Sequence, residues 1–262
     1  KRQKKNYTIM KRVTLAICSL SILFLSSCQK EINDTQLTGT VKFTFKNMVK
    51  ADSMVLNSSN YTNGFGEQFT ISKFKYYISH AMLKNAAGAA SDEGYYLIDA
   101  SNAGSMSFSF EVPVDIYSSV AFLLGVDSTH NVSGAQTGAL DPLNDMFWTW
   151  NSGYIMAKME GNSPQSAIVN NKVEYHIGGF TGPYSALKNI NLIIPPTITD
   201  KVEVREGKTS EIFINADFDK WWQGFYDLKI TDLPSVTHPG VMAKSISDNY
   251  SKMFSIGNII NY

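Results

Sequence analysis

Apolar and polar residues alternate along much of the chain. Every second residue of 41–45 is apolar, and the same period of two runs through 74–82 and 106–112. Successive side chains of a β-strand point to opposite faces of the sheet, so this alternation predicts half-buried strands. Further strands are predicted at 95–99, 118–124, 154–160, 172–177, 188–194, 201–205 and 210–215.

The predicted strands follow one another without alternating helices. About ten strands separated by loops rich in Gly, Asn and Ser favour an all-β antiparallel β-sandwich, of Greek-key, immunoglobulin or jelly-roll type, over a βαβ fold. Two short helices are predicted, at 217–223 with Asp217 as its N-cap, and at 242–254, where apolar residues recur at helical spacing. The long irregular segment 125–145 is of a length typical of functional loops.

The first 28 residues have the pattern of an export signal. Lys11 and Arg12 precede an apolar run over 13–25, which ends in Leu-Ser-Ser and then Cys28. This resembles a bacterial lipobox, which predicts lipidation of Cys28 and Met10 as the true start. We therefore expect a signal peptide at 1–28, a polar tether at 29–37 and one domain at 38–262, held at the bacterial cell envelope, periplasmic or surface-facing, by a lipid in the membrane.

Removal of the signal changes the charge and the cysteine content. The whole chain has a formal net charge of zero, but residues 1–27 contain six basic residues and no acidic one. The exported chain therefore keeps 17 basic and 23 acidic residues, a balance that argues against nucleic acid as a partner. Cys28 is its only cysteine, which excludes a disulfide and a thiolate metal site. Any metal ligands must come from His, Met, carboxylate or modified Trp side chains or from the backbone.

Three histidines are candidate metal ligands. His80 continues the apolar face of its strand, where it is either a core residue or a ligand, and His176 points away from its apolar neighbours, on the same face as Glu174. His238 precedes a Pro-Gly turn, and its role is that of a turn residue or a ligand. His130 lies in the polar loop, and we expect it to be solvated.

The tryptophans form two pairs with different expected exposure. Trp148 and Trp150 share one face if their segment is a strand, as core, platform or cofactor residues. Trp221 and Trp222 are adjacent, so we expect one of them to be exposed. The chain contains no GxSxG, HExxH, Walker or GxGxxG motif, and we therefore expect a protein that is not an enzyme. Calcium at a carboxylate-rich loop is a less favoured alternative cofactor.

Several motifs resemble one protein family. The segments LGVDSTHN, GALDPLNDMFWTWNSGYIMAKMEG and EYHIGGF, with FTISKFKYYISHAML before them and HPGVMAKSISDNYSKMF after them, are similar to MbnP-like copper-binding proteins, especially Bacteroidota-type lipoprotein members. The resemblance covers roughly residues 38–256. It implies an extracytoplasmic β-sandwich that binds Cu(I) through histidines and a tryptophan oxidised to kynurenine, with a di-haem peroxidase-like partner.

The resemblance also implies site residues. Trp148 and Trp150 match the family's tryptophan block and His176 matches the histidine before its glycines, while His80 and His238 fall in similar segments. The main hypothesis is copper acquisition or handling, with at least two of these histidines near one of the tryptophans. The alternative is a cell-surface binding module for glycan or protein without a metal, in which an exposed aromatic such as Trp222 forms a platform. A hydrolase is a third hypothesis, which no motif supports.

Overall fold

The computed structural model describes residues 36–57, 60–134, 136–149, 152–196, 198 and 201–262. The signal peptide, the lipobox with Cys28 and most of the tether lie outside these residues, and so does Trp150. The predictions made for them therefore stay predictions.

Strands dominate the described part of the chain. They are β1 Thr38–Val49, β2 Asp52–Ser53, β3 Tyr61–Thr62, β4 Gln68–Lys84, β5 Ala89–Ser91, β6 Tyr95–Asp99, β7 Ser107–Pro113, β8 Asp115–Tyr117, β9 Ser119–Leu124, β10 Phe147–Thr149, β11 Gly153–Asn162, β12 Lys172–Gly178, β13 Lys188–Ile193, β14 Val202–Val204, β15 Thr209–Asp217, β16 Ser235–Val236 and β17 Phe254–Asn261. Every strand predicted from the alternation is present.

Helices are short. The two α-helices are α1 Ser128–Asn131 and α2 Val241–Tyr250, and the 3-10 helices are Ala103–Ser105, Gly138–Leu140, Pro142–Asn144, Val169–Asn171, Gly182–Tyr184 and Phe218–Trp221. Asp217 caps the last of these by accepting a hydrogen bond from the Asp219 backbone N–H, as predicted. Within the described residues, no helix has the length and apolarity needed to cross a membrane.

The strands form two main sheets. The larger sheet has the order β13-β9-β4-β11-β12-β16, with β3, β5 and β6 also paired to β4 and β10 paired to β11. The smaller sheet has the order β17-β15-β1-β2, and β7 also pairs with β1, on the edge opposite β15. Strands β14 and β8 pair with each other in a separate two-stranded sheet. The β1–β15 and β12–β16 pairs are parallel and the others are antiparallel. The predicted all-β sandwich is confirmed, with these two parallel pairs as an addition.

Aromatic side chains join the two sheets. The Phe45 ring of β1 lies 6.0 Å from Tyr76 of β4 and 6.1 Å from Phe122 of β9. Phe254 of β17 closes the group, at 5.7 Å from Tyr76 and 5.0 Å from Phe122. Edge-to-face aromatic pairs of this kind add to the free energy of apolar burial, which makes this group the centre of the core.

A β-bulge changes the predicted role of His80. The register between β4 and β9 shifts between Ser79 and Met82, and His80 has a left-handed φ of 49°. One extra residue reverses the faces of a strand, so that Ala81 and Leu83 are buried after the bulge. The expectation that His80 continues the apolar face is wrong, and its side chain is 30% exposed.

The expectation of an exposed tryptophan at 221–222 is also wrong. Trp221 is 1% exposed and Trp222 is 2% exposed. The two residues end a 3-10 turn, so they are not on opposite faces of a strand, and Trp222 packs against Phe69, Tyr175 and Phe218. A binding platform built on Trp222 is therefore excluded.

The C-terminal segment also differs from the prediction. Helix α2 ends at Tyr250, earlier than predicted, and the chain then enters β17, a strand that the alternation did not reveal. The long loop contains α1 and two 3-10 helices, Gly138–Leu140 and Pro142–Asn144.

Candidate functional site

A group of polar side chains lies on the outer face of the larger sheet, where β4, β11 and β12 are neighbours. In the register of β11 and β12, Lys158 is opposite His176 and Glu160 is opposite Glu174. In the register of β11 and β4, Glu160 is also opposite Lys73. Residues paired across a ladder share a face, so three neighbouring strands bring two glutamates, a histidine and two lysines together.

His176 is the centre of this group. Its Nε2 lies 3.0 Å from Oε1 of Glu160 and 3.5 Å from Oε1 of Glu174, and its side chain is 14% exposed. One ligand atom from each of these three residues lies within 4.8 Å of the others. Burial lowers the pKa of His176 and the Lys158 charge acts in the same direction, which favours a neutral imidazole at neutral pH.

Lysines neutralise the two glutamates. Lys73 lies 3.2 Å from Oε2 of Glu160, and Lys172 lies 2.8 Å from Oε1 of Glu174. Burial acts to raise the pKa of Glu160, but hydrogen bonds from His176 and Lys73 outweigh it, and the net pKa is lowered. The group is therefore a pair of carboxylates, each with a lysine partner, around one imidazole.

Trp148 lies beside this group. A Cβ added at Gly178 would be 2.6 Å from Cζ3 of Trp148, so the indole rests directly on that glycine. Residues 176 and 178 alternate with 177 along β12 and share one face of the sheet. The Trp148 indole therefore lies against Gly178, two residues along β12 from His176 on the same face, and Gly178 permits the close approach.

The His238 segment approaches the same point. Gly179 has φ +111°, and a Cβ placed there would be 3.2 Å from Cβ of Pro239, the residue after His238. His238 itself is exposed. Three of the predicted motifs therefore meet at Gly178 and Gly179: the tryptophan block, the strand of His176 and the His238 turn.

His80 is placed elsewhere. Its Nδ1 lies 2.8 Å from Oε2 of Glu93, and its Nε2 lies 3.3 Å from Oδ2 of Asp127. Among the described residues, no hydrogen bond or ring contact joins His80 to His176, His238 or Trp148. The structure instead brings His80 to the carboxylate that also contacts His130.

Sequence reasoning missed His130, which we expected to be solvated. A local signal in the sequence could have indicated it. Asp127 is a typical N-cap residue, and His130 follows three residues later in the turn that Asp127 caps. The pairing of Glu160 with His176 had no local signal, because the two residues meet only through the register of β11 and β12.

Comparison with known proteins gives a family match. A family model described as MbnP matches residues 38–242, more than three quarters of the chain. Among solved structures, MbnP from Methylosinus trichosporium is similar at 14% sequence identity and a TM-score of 0.45, over 67% of this chain and 76% of that chain. A comparison with curated proteins finds no match.

Proposed function

The chain belongs to the MbnP family, and from this premise we propose that it is a copper-binding protein of the bacterial cell envelope, which acts in copper acquisition or handling and is not an enzyme. The observation that carries the proposal is the contact of the Trp148 indole with Gly178, on the face of β12 that carries His176, since the sequence resemblance matches Trp148 and His176 to motifs of the family.

The imidazole of His176 is the ligand in this group that suits a copper ion. The carboxylates of Glu160 and Glu174 lie within reach of the same ion, and as hard donors they would supply negative charge beside Cu(I) rather than its main bonds. Copper would take the place of the Lys73 and Lys172 ammonium groups as the cation beside these carboxylates. The chain's own residues thus supply ligands and charge compensation without a thiolate.

Trp148 is the tryptophan that we propose for oxidation to kynurenine. Its side chain is half-buried, so a partner protein can reach it, and it lies against Gly178, two residues from the proposed ligand His176. The partner that the family resemblance implies is a di-haem peroxidase-like protein. Kynurenine at position 148 would add a polar group at the edge of the copper site. The oxidation state that we propose for the ion is Cu(I).

The proposed location follows from the lipobox. Lipidation of Cys28 would hold the protein at the membrane, and the polar residues 29–37 would separate the lipid from the domain. Copper bound by a protein anchored in this way would be retained near the membrane.

The test uses the processed protein purified from its native host. Intact mass and metal content report the modification and the copper, and anaerobic loading with Cu(I) in the presence of ascorbate reports the binding capacity. We expect about one equivalent of copper, the lowest stoichiometry for a single site. His176→Ala should lose it, and His238→Ala tests whether the exposed histidine of the same region is a second ligand.

The outcomes separate the function from the site. Wild-type protein that takes up no copper after loading would overturn the proposed function. Undiminished copper uptake by His176→Ala would leave the function in place but exclude this site. An unmodified mass at Trp148 in protein from the native host would exclude the kynurenine.

A further inference from the structure

Three lysines of the larger sheet bind the last two residues of the long loop, Asn144 and Asp145. Nζ of Lys158 lies 3.0 Å from Oδ2 of Asp145 and also donates a hydrogen bond to its backbone carbonyl oxygen. Nζ of Lys73 lies 3.3 Å from the same Oδ2, and Nζ of Lys75 donates to the Asn144 carbonyl oxygen at 3.2 Å. The sheet therefore holds the chain immediately before β10 begins.

Lys158 is the buried member of this group. Its side chain is 1% exposed, whereas that of Lys73 is 44% exposed. A buried ammonium group is costly unless it is paired and hydrogen-bonded, and Asp145 supplies both a carboxylate and a carbonyl oxygen. A shift of Asp145 within the folded protein would remove both partners at once. The contact with Lys158 therefore fixes the position of Asp145 more firmly than the solvated contact with Lys73 does.

The backbone of Asp145 is adapted to this contact. The residue ends the 3-10 helix Pro142–Asn144 with a left-handed φ of 61°, and its N–H donates to the carbonyl oxygen of Pro142 at 3.2 Å. Asp is one of the few residues with a Cβ that adopt this conformation readily. The chain turns here, and the carboxylate and the carbonyl of one residue both reach the Lys158 ammonium group.

The ladder of β10 with β11 does not by itself fix Trp148. Phe147 and Thr149 each have a partner in β11, but the register shifts between these two pairs, at Trp148 itself. A residue at such an irregularity is not held in the regular geometry of a ladder. The position of the Trp148 indole therefore depends also on the anchor at Asp145, three residues earlier in the chain.

Lys158 also lies opposite the candidate ligand. In the register of β11 and β12 it is paired with His176, and the Trp148 indole rests on Gly178, two residues along β12 from that histidine. One buried side chain thus anchors the segment that carries Trp148 and faces the strand on which the indole rests.

From this geometry we propose that Lys158 is a positioning residue, which through Asp145 holds Trp148 in its place on Gly178. The importance of that place for oxidation of Trp148 rests on the proposed function. The anchoring itself does not, because the protection of the segment can be measured in unoxidised protein without copper. Lys158 acts through Asp145 and is not itself a ligand.

Hydrogen exchange, followed by mass spectrometry on the mature chain made without the partner protein and kept with a chelator, tests the anchor. Lys158→Met removes the charge and keeps an unbranched side chain of similar length. The Ile155 amide donates to the Met146 carbonyl oxygen, and we expect it and the amides of β10 to exchange about tenfold faster, as for loss of one charged hydrogen bond. This change should exceed any change in β15, whose amides report on the whole domain.

Two further lysine variants are the controls. Lys73→Met removes the more exposed lysine from the same Asp145 oxygen, and its effect on β10 should be smaller, because Lys158 keeps its contact. Lys42→Met removes a lysine whose ion pair with Glu211, at 3.0 Å, lies on the smaller sheet. It should leave the exchange of β10 unchanged.

Asp145→Asn keeps the test decisive if Lys158→Met fails to fold. Asparagine has the shape of aspartate and tolerates the left-handed backbone, but it has no charge to pair with the buried ammonium group. It should also accelerate the exchange of β10. The double variant should show no more than the larger single effect, because both substitutions break the same contact.

A second measurement separates positioning from stability. The fraction of Trp148 present as kynurenine is determined in peptides of the folded protein purified from the native host. We expect Lys158→Met to lower this fraction about tenfold, since displacement of a reacting group by about 1 Å can cost about 100-fold in rate. Lys42→Met should leave the fraction unchanged.

Unchanged exchange of β10 in Lys158→Met and Asp145→Asn would overturn the proposal, as would an equal effect of Lys73→Met. So would faster exchange with an undiminished kynurenine fraction, which would make Lys158 a residue of structural importance only. Wild-type protein without kynurenine would instead contradict the proposed function, and the exchange measurement would then decide on the anchor alone.

Discussion

At the scale of single residues, the backbone of His80 allows a stability prediction. Its φ of 49° is unfavourable for any residue with a Cβ, by about 1 kcal/mol, and glycine avoids this cost. His80→Gly and His80→Ala both remove the imidazole. We therefore expect the glycine variant to have the higher free energy of unfolding, by about 1 kcal/mol, in urea denaturation with a chelator present.

The matched substitution is made at Thr70, which lies in the same strand, is paired with Asn162 of β11 and has no left-handed φ. There the glycine variant should be less stable than the alanine variant, because glycine loses more backbone entropy on folding. If glycine were also the less stable residue at position 80, the bulge would not require the left-handed conformation.

The two neighbouring tryptophans should respond differently to loss of the indole N–H. Nε1 of Trp222 is buried and has no hydrogen-bond partner among the described residues, whereas Nε1 of Trp221 lies 3.3 Å from Sδ of Met253. An unsatisfied buried donor costs about 1–3 kcal/mol. We expect Trp222→Phe to destabilise the protein less than Trp221→Phe in thermal and urea unfolding. The reverse order would mean that Trp222 Nε1 is satisfied in solution.

Some contacts of the candidate site follow from the sequence pattern and others do not. Alternation placed His176 and Glu174 on one face, and the 3.5 Å contact between them confirms it. The partner Glu160 was not predictable in the same way, because it meets His176 only through the register of β11 and β12. Period-two patterns determine which face a side chain occupies but contain no information on register.

At the scale of elements, one ion-pair group anchors helix α2 to the larger sheet. Asp248 of α2 lies 2.5 Å from Nζ of Lys188 in β13 and 2.5 Å from Nζ of Lys244, one turn earlier in the helix. Lys188 and Asp248 are mostly buried and Lys244 is exposed. Lys188→Met should therefore lower the free energy of unfolding by about 1–3 kcal/mol, the contribution of a charged hydrogen bond.

Lys244→Met is the control within the same group. It removes a solvent-exposed lysine and leaves the contact between helix and sheet intact, so its effect should be smaller. Hydrogen exchange of the α2 amides should increase in Lys188→Met only. Equal effects of the two substitutions would show that helix docking does not depend on Lys188.

The element boundaries show what physical information the sequence lacked. The apolar face of 74–78 predicted β4 correctly, but the pattern continued through His80 and Met82 while the buried face of the strand changed to Ala81 and Leu83, because a bulge reverses the faces without changing the composition. Similarly, Met253 and Phe254 extended a helical pattern although Phe254 pairs with Ala216 in β17. Long-range pairing overrides local periodicity at both places.

At the scale of the whole molecule, the sandwich was predictable because its strands share one simple pattern. Val41, Phe43 and Phe45 are all buried, and they alternate with residues that are more exposed. The parallel pairing of β1 with β15 was not predictable, since these strands are separated by most of the chain and either direction buries the same side chains. The two layers of the sandwich were therefore predictable from the sequence, whereas the order of the strands within each sheet was not.

The balance of charged groups over the whole domain determines how stability depends on pH. Several carboxyl groups have a pKa below the ordinary value because hydrogen bonds and cationic neighbours outweigh the opposing effect of burial: Asp99, Asp127, Asp145, Glu160 and Asp248. Their stabilising contribution is complete above the unfolded pKa values, about 3.9 for Asp and 4.3 for Glu, and it is lost as the pH falls through each folded value.

His176 adds an earlier change of the same sign. Because burial lowers its folded pKa, the unfolded chain binds a proton near pH 6.5 that the folded chain does not, and this favours unfolding as the pH falls. We expect the free energy of unfolding in urea, with a chelator present, to be constant from pH 8 to about 7. It should then fall by at most about 1.4 kcal/mol per pH unit, and more steeply below pH 4.3 as the carboxylates protonate. His176→Gln should remove only the first decline, because glutamine does not titrate and the carboxylates remain. A wild-type profile that stays flat down to pH 5, or a first decline that persists in His176→Gln, would show that His176 is not held neutral by its surroundings.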